Sequence, residues 1–389
     1  MKIIYASYLG YITQAIVNNF APLLFLTFVL EYDLTLDKIT LITTINFAVQ
    51  LLVDLVSVKV VDYIGYRICV VAAHVFAASG LIGLALFPAI LPEPYMGIMA
   101  AVVLYAIGGG IIEVLISPIV EACPTEKKEA AMSLLHSFYC WGHVSVVLLC
   151  TLFFEIFGIE NWKIMAVVWA IVPLVNCFYF SVVPIYPIVN EQEKMSLKDL
   201  LSQKIFWLLI IIMICAGASE QAMSQWASAF AESALHVSKT IGDLAGPCAF
   251  AVFMGMARAL YGKYSDRIPL MNMMIGIAVL CIACYLIAVF VGNPLFGLIG
   301  CAACGFSVGI FWPGTFSVAA IKLPTAGTAM YALMALAGDV GCSGGLTVVG
   351  MIANANGNNL KFGNSCGDCF SGCDSSWNFC VKTKKDITK

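Results

Sequence analysis

Eleven stretches of about twenty mainly apolar residues recur along the chain, and nothing else in it constrains the fold as strongly. They lie near residues 5–30, 39–61, 68–91, 94–122, 130–157, 162–185, 205–231, 243–261, 268–291, 294–321 and 326–353. Each is long enough to cross a bilayer as a helix, in which every backbone polar group is satisfied within its own segment. Composition agrees: 61% of the 389 residues are hydrophobic and 11% charged, where a soluble domain carries roughly 25% charged residues. The expected fold is therefore an all-α integral membrane protein. The opening "MKIIYASYLG" runs directly into apolar sequence, so it reads as the start of the first span rather than as a cleaved signal.

Residues 186–204, "YPIVNEQEKMSLKDLLSQK", are polar and divide the chain near its middle, as a linker that is partly an amphipathic surface helix. Lys and Arg set the orientation. With the N-terminus cytoplasmic, twelve of them fall on the inner side, against Lys38, Lys163, Lys239 and Lys361 outside. The expected location is the cell membrane, multi-pass, with the N-terminus inside and a monomer as the working form. Net charge is −3 and no basic block suggests nucleic acid. Cysteines inside the apolar runs, such as Cys150, Cys281 and Cys304, read as small apolar residues.

The two halves echo each other. The loop after span 2 reads "VDYIGYR" and the loop after span 8 "GKYSDRIP", with aspartates 266 − 62 = 204 residues apart. "AAMSLL" in span 5 answers "TAMYAL" in span 11, with methionines 330 − 132 = 198 apart. Matching offsets at corresponding spans argue for a parallel duplication of a six-helix unit. We expect an N-terminal six-helix half at 1–189, a cytoplasmic linker at 190–204, a C-terminal half with spans 7–11 at 205–361, and a polar tail at 362–389.

The two loops resemble the paired signature of the major facilitator superfamily, G-x-x-x-D-R/K-x-G-R/K-R/K, at the inner ends of spans 2–3 and 8–9. The first copy has Val58 in place of the leading glycine and keeps Asp62, Gly65 and Arg67. The second keeps Gly262, Asp266 and Arg267 but has Pro269 and Leu270 near its end. The resemblance implies two six-helix bundles on a twelve-span plan. Its aspartates would cap the next helix and pair with a basic residue, latching the halves on the inner side. Arg258 is the candidate partner of Asp266.

Span 4 reads "GGGIIEVLISPIVEACP" and resembles fucose-permease-like sugar/proton symporters, where a glycine-rich stretch precedes a membrane-embedded glutamate and then a proline. By that resemblance Glu113 is the matching acid. Read from physics alone, Glu113 sits mid-span, where a charged carboxylate is costly and usually functional, so it can take up and release a proton. The group's span 1 also carries an acid, whereas here it has the amides Asn18 and Asn19.

Other polar residues follow helical spacing. Span 1 has Gln14 and Asn18, span 2 has Asn46, Gln50 and Asp54, and span 5 has His136, Tyr139, Cys140 and His143 beside Trp141. Span 7 has Glu220, Gln221, Ser224, Gln225 and Trp226, span 10 Trp312 and span 11 Asp339. Such faces on both halves point to a central aqueous cavity. Trp141, Trp226 and Trp312 could stack on a sugar ring, whereas Trp162 and Trp207 near span ends read as interface anchors. Gly108 to Gly110 permit close helix packing rather than phosphate binding. No Lys or Arg lies mid-span, which favours neutral polar solutes. No P-loop for ATP-driven pumping is present.

Three functions remain in play. The first is a secondary transporter moving a sugar or sugar-like solute by alternating access, proton-coupled through Glu113, with no cofactor or metal. The second is a drug or metabolite exporter on the same fold, and the amide-rich stripes count against it. The third is a membrane enzyme or non-transporting sensor. His74, His136, His143 and His236 lack metal-ligand spacing, and no output domain follows.

The tail "NSCGDCFSGCDSSWNFC" has the spacing C-x2-C-x3-C-x6-C over Cys366, Cys369, Cys373 and Cys380. Four cysteines that close could ligate zinc or form disulfides. Shifted by one base, however, Cys codons become Val or Ala codons, Asn and Asp codons become Ile, Met or Thr, and Trp becomes Gly. The reading we favour is a frameshifted remnant of a twelfth span, so that eleven clear spans remain.

Overall fold

The computed structural model describes residues 2–187, 195–235, 246, 248–290 and 294–355. The linker residues 188–194 and the cysteine-rich tail lie outside them. The described chain is helical, with no strand among the described residues. A helix occupies each of the eleven apolar stretches. Among the described residues eight spans, Phe296–Lys322 counted as one, are long and apolar enough to cross a membrane, and a bent pair at the N-terminus makes a ninth.

In chain order the helices are α1 (Lys2–Leu23), α2 (Phe25–Tyr32), α3 (Leu36–Ile64), α4 (Tyr66–Ile90), α5 (Pro94–Glu121), α6 (Lys128–Phe157) and α7 (Trp162–Val182). They continue with α8 (Leu197–Ser202), α9 (Lys204–Leu235), α10 (Ala249–Tyr264), α11 (Leu270–Phe290), α12 (Pro294–Val308), α13 (Phe311–Lys322) and α14 (Gly327–Ala355). The surface helix expected in the linker is the six-residue α8, where Ser196 Oγ caps the N–H of Asp199 at 3.1 Å.

Two spans are discontinuous, each beside a proline. α1 and α2 meet at 47° around Leu24. Pro22 has no N–H to offer the carbonyl four residues back, and Leu24 bonds the Ala21 carbonyl, three back, at 2.9 Å. Span 10 is interrupted only for Gly309 and Ile310, between α12 and α13 and just before Pro313, and otherwise runs on as one span over Phe296–Lys322.

The turn between α3 and α4 explains the signature glycine. Gly65 closes α3 and opens α4 at φ +97° and ψ +144°, a region open almost only to glycine. Gly65→Ala is expected to cost about 1–3 kcal/mol. A lower thermal midpoint in detergent would register it, although a Cβ there meets nothing within 4 Å.

The chain divides into two compact units. One has the described residues of Met1–Pro124, Phe138–Lys194 and Gly327–Leu333; the other has those of Thr125–Ser137, Met195–Ala326 and Met334–Lys389. In the first, α4 packs against α5 and α7, and α5 also packs against α1 and α3. His74 on α4 is fully buried. Its Nδ1 lies 2.7 Å from the Val70 carbonyl, and its Nε2 lies 2.8 Å from Asn176 Nδ2 on α7. That amide nitrogen also donates to the Ala6 carbonyl on α1 at 3.0 Å. Asn176 must therefore face the ring as a donor, which assigns the proton to Nδ1 and clasps three helices. In the second unit, α12 lies against α9, α10 and α11, and α13 lies against α9.

Trp162 departs from its expected role as an interface anchor. It is fully buried, because Glu31 gives its indole Nε1–H an acceptor at 2.7 Å and Phe28 meets its ring edge-on. Trp207 is 51% exposed and donates to the Leu201 carbonyl.

Candidate functional site

In the first unit the site is built around three glycines of α5. Successive helical residues point about 100° apart, so each glycine meets a different neighbour. A Cβ on Gly108 would fall 2.5 Å from the Ala73 carbonyl oxygen on α4. One on Gly109 would be 3.1 Å from Val17 on α1, and one on Gly110 3.2 Å from the Cα of Gln50 on α3. Small residues thus let α5 sit against three helices at once.

That closeness assembles the polar residues. Gln14 Nε2 on α1 donates to Glu113 Oε2 on α5, and both side chains are buried. One turn along α1, Asn18 Oδ1 accepts from Gln50 Nε2 at 2.8 Å, with Asn46 Nδ2 at 3.5 Å. Asn19 turns back to the Ala15 carbonyl of its own helix at 2.8 Å. Tyr11 and Ser117 share a hydrogen bond of 2.8 Å. Asp54, fully buried, lies one turn past Gln50. α3 meets α5 here, since a Cβ on Gly110 would lie 3.1 Å from Val53, the neighbour of Asp54.

In the second unit the centre is Arg258 on α10, which is 3% exposed. Its Nε donates to the Gly309 carbonyl at 2.7 Å and its Nη1 to the His136 carbonyl at 3.1 Å. Nη2 lies 3.5 Å from Glu220 Oε2 on α9. The pairing expected with Asp266 is replaced by this one, because Arg258 points into the helix bundle rather than toward the loop eight residues on. Arg258 sits in the last two turns of α10, toward the end of its span, and is nevertheless buried. The His136 ring lies 5.9 Å from Phe316, which lies 6.5 Å from Trp312. Trp312 packs against Gly338 on α14, next to the buried Asp339. Tyr139, Trp141 and Gln221 are half-buried. The side chains of Gln225 and Trp226, and His236 entirely, lie outside the described residues. Among the described residues no three His, Cys, Asp or Glu side chains come together as a metal site.

The signature residues fall into a paired arrangement. Asp62 accepts from Thr328 Oγ1 at 2.7 Å, and Tyr66 bonds the same hydroxyl. Asp266 pairs with Lys127. Thr328 begins α14 and Lys127 precedes α6, so the two aspartates, 204 residues apart, hold residues 328 − 127 = 201 apart at the starts of the two echoing helices. The Lys127–Asp266 pair is exposed on both sides, and such pairs contribute little by themselves. Arg67 donates to the carbonyls of Phe180, Ser181 and Val183, each at 2.9 Å, so it caps the end of α7. Gly262 lies against the start of α6, where a Cβ would be 3.3 Å from the Ala130 carbonyl. Arg267 is exposed in the turn after α10.

A family model described as Major Facilitator Superfamily matches residues 7–346. The chain belongs to this superfamily. It is accordingly a multi-pass membrane transporter of a small-molecule solute, and not an enzyme. Among solved structures it is similar to the E. coli fucose:proton symporter FucP, with 14% identity, a TM-score of 0.79, and 96% of this chain and 97% of that chain covered. It is similar to the proton:xylose symporter XylE at 14% identity and a TM-score of 0.76, covering 98% and 95%. A bacterial homologue of the iron transporter ferroportin matches at 13% identity and a TM-score of 0.75, covering 97% and 99%. At these identities the likeness is one of fold. No curated protein sequence matches the chain.

Proposed function

We propose that this superfamily member is a secondary active transporter that takes up a small uncharged polar solute, a sugar or sugar-like molecule, together with protons by alternating access. Residues 1–189 and 205–361 serve as its halves, in a monomer whose N-terminus is cytoplasmic in the cell membrane. The observation that carries the reading is Glu113: a buried carboxyl in mid-span, bonded by Gln14, one turn along α1 from the Asn18–Gln50 amide pair. Carboxyls in that setting can bind a proton, and amides offer both donors and acceptors to hydroxyl groups.

The buried Arg258 does not redirect the reading to anions, since Glu220 lies beside it and its Nε and Nη1 donate to two backbone carbonyls. FucP and XylE, named as fucose and xylose symporters, share the fold. The test is uptake of a panel of neutral sugars, organic anions and iron into proteoliposomes, with and without an inward-directed pH gradient. Gradient-driven accumulation of a neutral sugar is expected. Accumulation of only anions or iron, or sugar uptake indifferent to pH, would sink the reading.

A further inference from the structure

In a continuous helix the Gly309 carbonyl would accept from the N–H of residue 313. That residue is Pro313, which has none. Just beyond, the ladder resumes, with the Gly314 N–H donating to the Ile310 carbonyl at 2.8 Å. The one carbonyl Pro313 leaves without its helical donor receives Arg258 Nε at 2.7 Å, from a different helix. A buried carbonyl without a partner is costly, above all in a membrane, so the bond has a defined task.

The guanidinium is a rigid fork, and its remaining nitrogens also reach named acceptors. Nη1 donates to the His136 carbonyl on α6, and Nη2 faces Glu220 on α9. Three residues past the Gly309 carbonyl is Trp312, which is 9% exposed; the Glu220 side chain is 18% exposed. Arg258 therefore ties the interruption of span 10, with Trp312 just past it, to α9, which carries Glu220.

We infer that Arg258 is a positioning residue of the solute site, supplying the Gly309 carbonyl with the donor that Pro313 withholds and so holding Trp312 in register with Glu220 for an uncharged polyhydroxy solute. The solute class rests on the proposed function; the bond to the broken span does not.

The experiment compares purified wild type with Arg258→Gln, Pro313→Ala and the double variant. Hydrogen–deuterium exchange of peptides covering 305–318 is read alongside half-saturation for L-fucose and D-xylose uptake in proteoliposomes. Arg258→Gln should raise exchange in that segment and raise the half-saturation concentration about tenfold, the size expected for one lost charge-assisted bond. Adding Pro313→Ala, which restores a backbone N–H, should recover both. Arg258→Lys, a single ammonium in place of a fork, should not.

Wild-type exchange and half-saturation in Arg258→Gln would overturn the inference, as would a defect that Pro313→Ala leaves untouched. If the wild type carries neither sugar, the solute class fails, while reversal of exchange by Pro313→Ala still decides the role of Arg258. If Arg258→Gln does not purify, Arg258→Lys with and without Pro313→Ala asks the same question.

Discussion

Glu113→Gln is expected to abolish pH-gradient-driven accumulation of solute while leaving solute exchange across the membrane intact. The argument is electrostatic. An ionised carboxylate at the centre of a span costs about 3 kcal/mol on insertion scales, so an acid kept there can bind and release a proton as its surroundings change. Glutamine keeps the shape and can still bond Gln14, the partner that meets Glu113 from α1. It cannot carry a proton. Uptake in proteoliposomes with a pH gradient should fall to the level reached without one, and counterflow of labelled against unlabelled solute should persist. Full gradient-driven accumulation in Glu113→Gln would remove Glu113 as the essential proton carrier. In that event Asp54, the fully buried carboxyl on α3, becomes the residue to substitute next.

The second large effect concerns Gly108. Its Cβ would stand 2.5 Å from the Ala73 carbonyl oxygen and 2.6 Å from the Ala77 nitrogen, and both are backbone atoms of α4. A crowded side chain can change rotamer, but backbone cannot. Gly108→Val therefore has to push α4 and α5 apart. Overpacking ordinarily costs about 1–3 kcal/mol, and a backbone collision belongs at or above the top of that range. Loss of most monodisperse protein on size exclusion in detergent is expected. Gly109→Ala is the control, since its Cβ meets side chains alone, a Val17 methyl at 3.1 Å and the Gln50 amide at 3.8 Å, and it should purify normally. Equal yields for the two variants would refute the packing role.

Much of the scaffold was legible in the sequence, since each of the eleven apolar stretches carries a helix. Span length is a local property: about twenty apolar residues in a row define a crossing whatever the rest of the chain does. The glycine triplet was also legible as a packing device, although which neighbour each glycine meets was not. Site residues were legible as polar positions on helix faces, and their partners were not. Asn18 and Asn19 are adjacent and chemically identical, yet one bonds Gln50 on α3 and the other bonds its own helix. A rotation of about 100° between neighbours separates them, and no spacing rule says which of the two faces another helix.

The sequence by itself determined the membrane class, the positions of the spans, the internal echo and the buried acid of span 4, because all of these follow from local hydropathy and motif spacing. Only the tertiary structure decided how the charged groups pair. Arg258 could have met Asp266 eight residues away, and instead it fills the gap Pro313 leaves at Gly309 and faces Glu220, 51 and 38 residues distant. Trp162 could have anchored an interface, and Glu31 drew it into the interior from 131 residues away. A bonding partner is chosen by distance in space, and in a bundle of long helices that distance is set by packing between elements far apart in the chain.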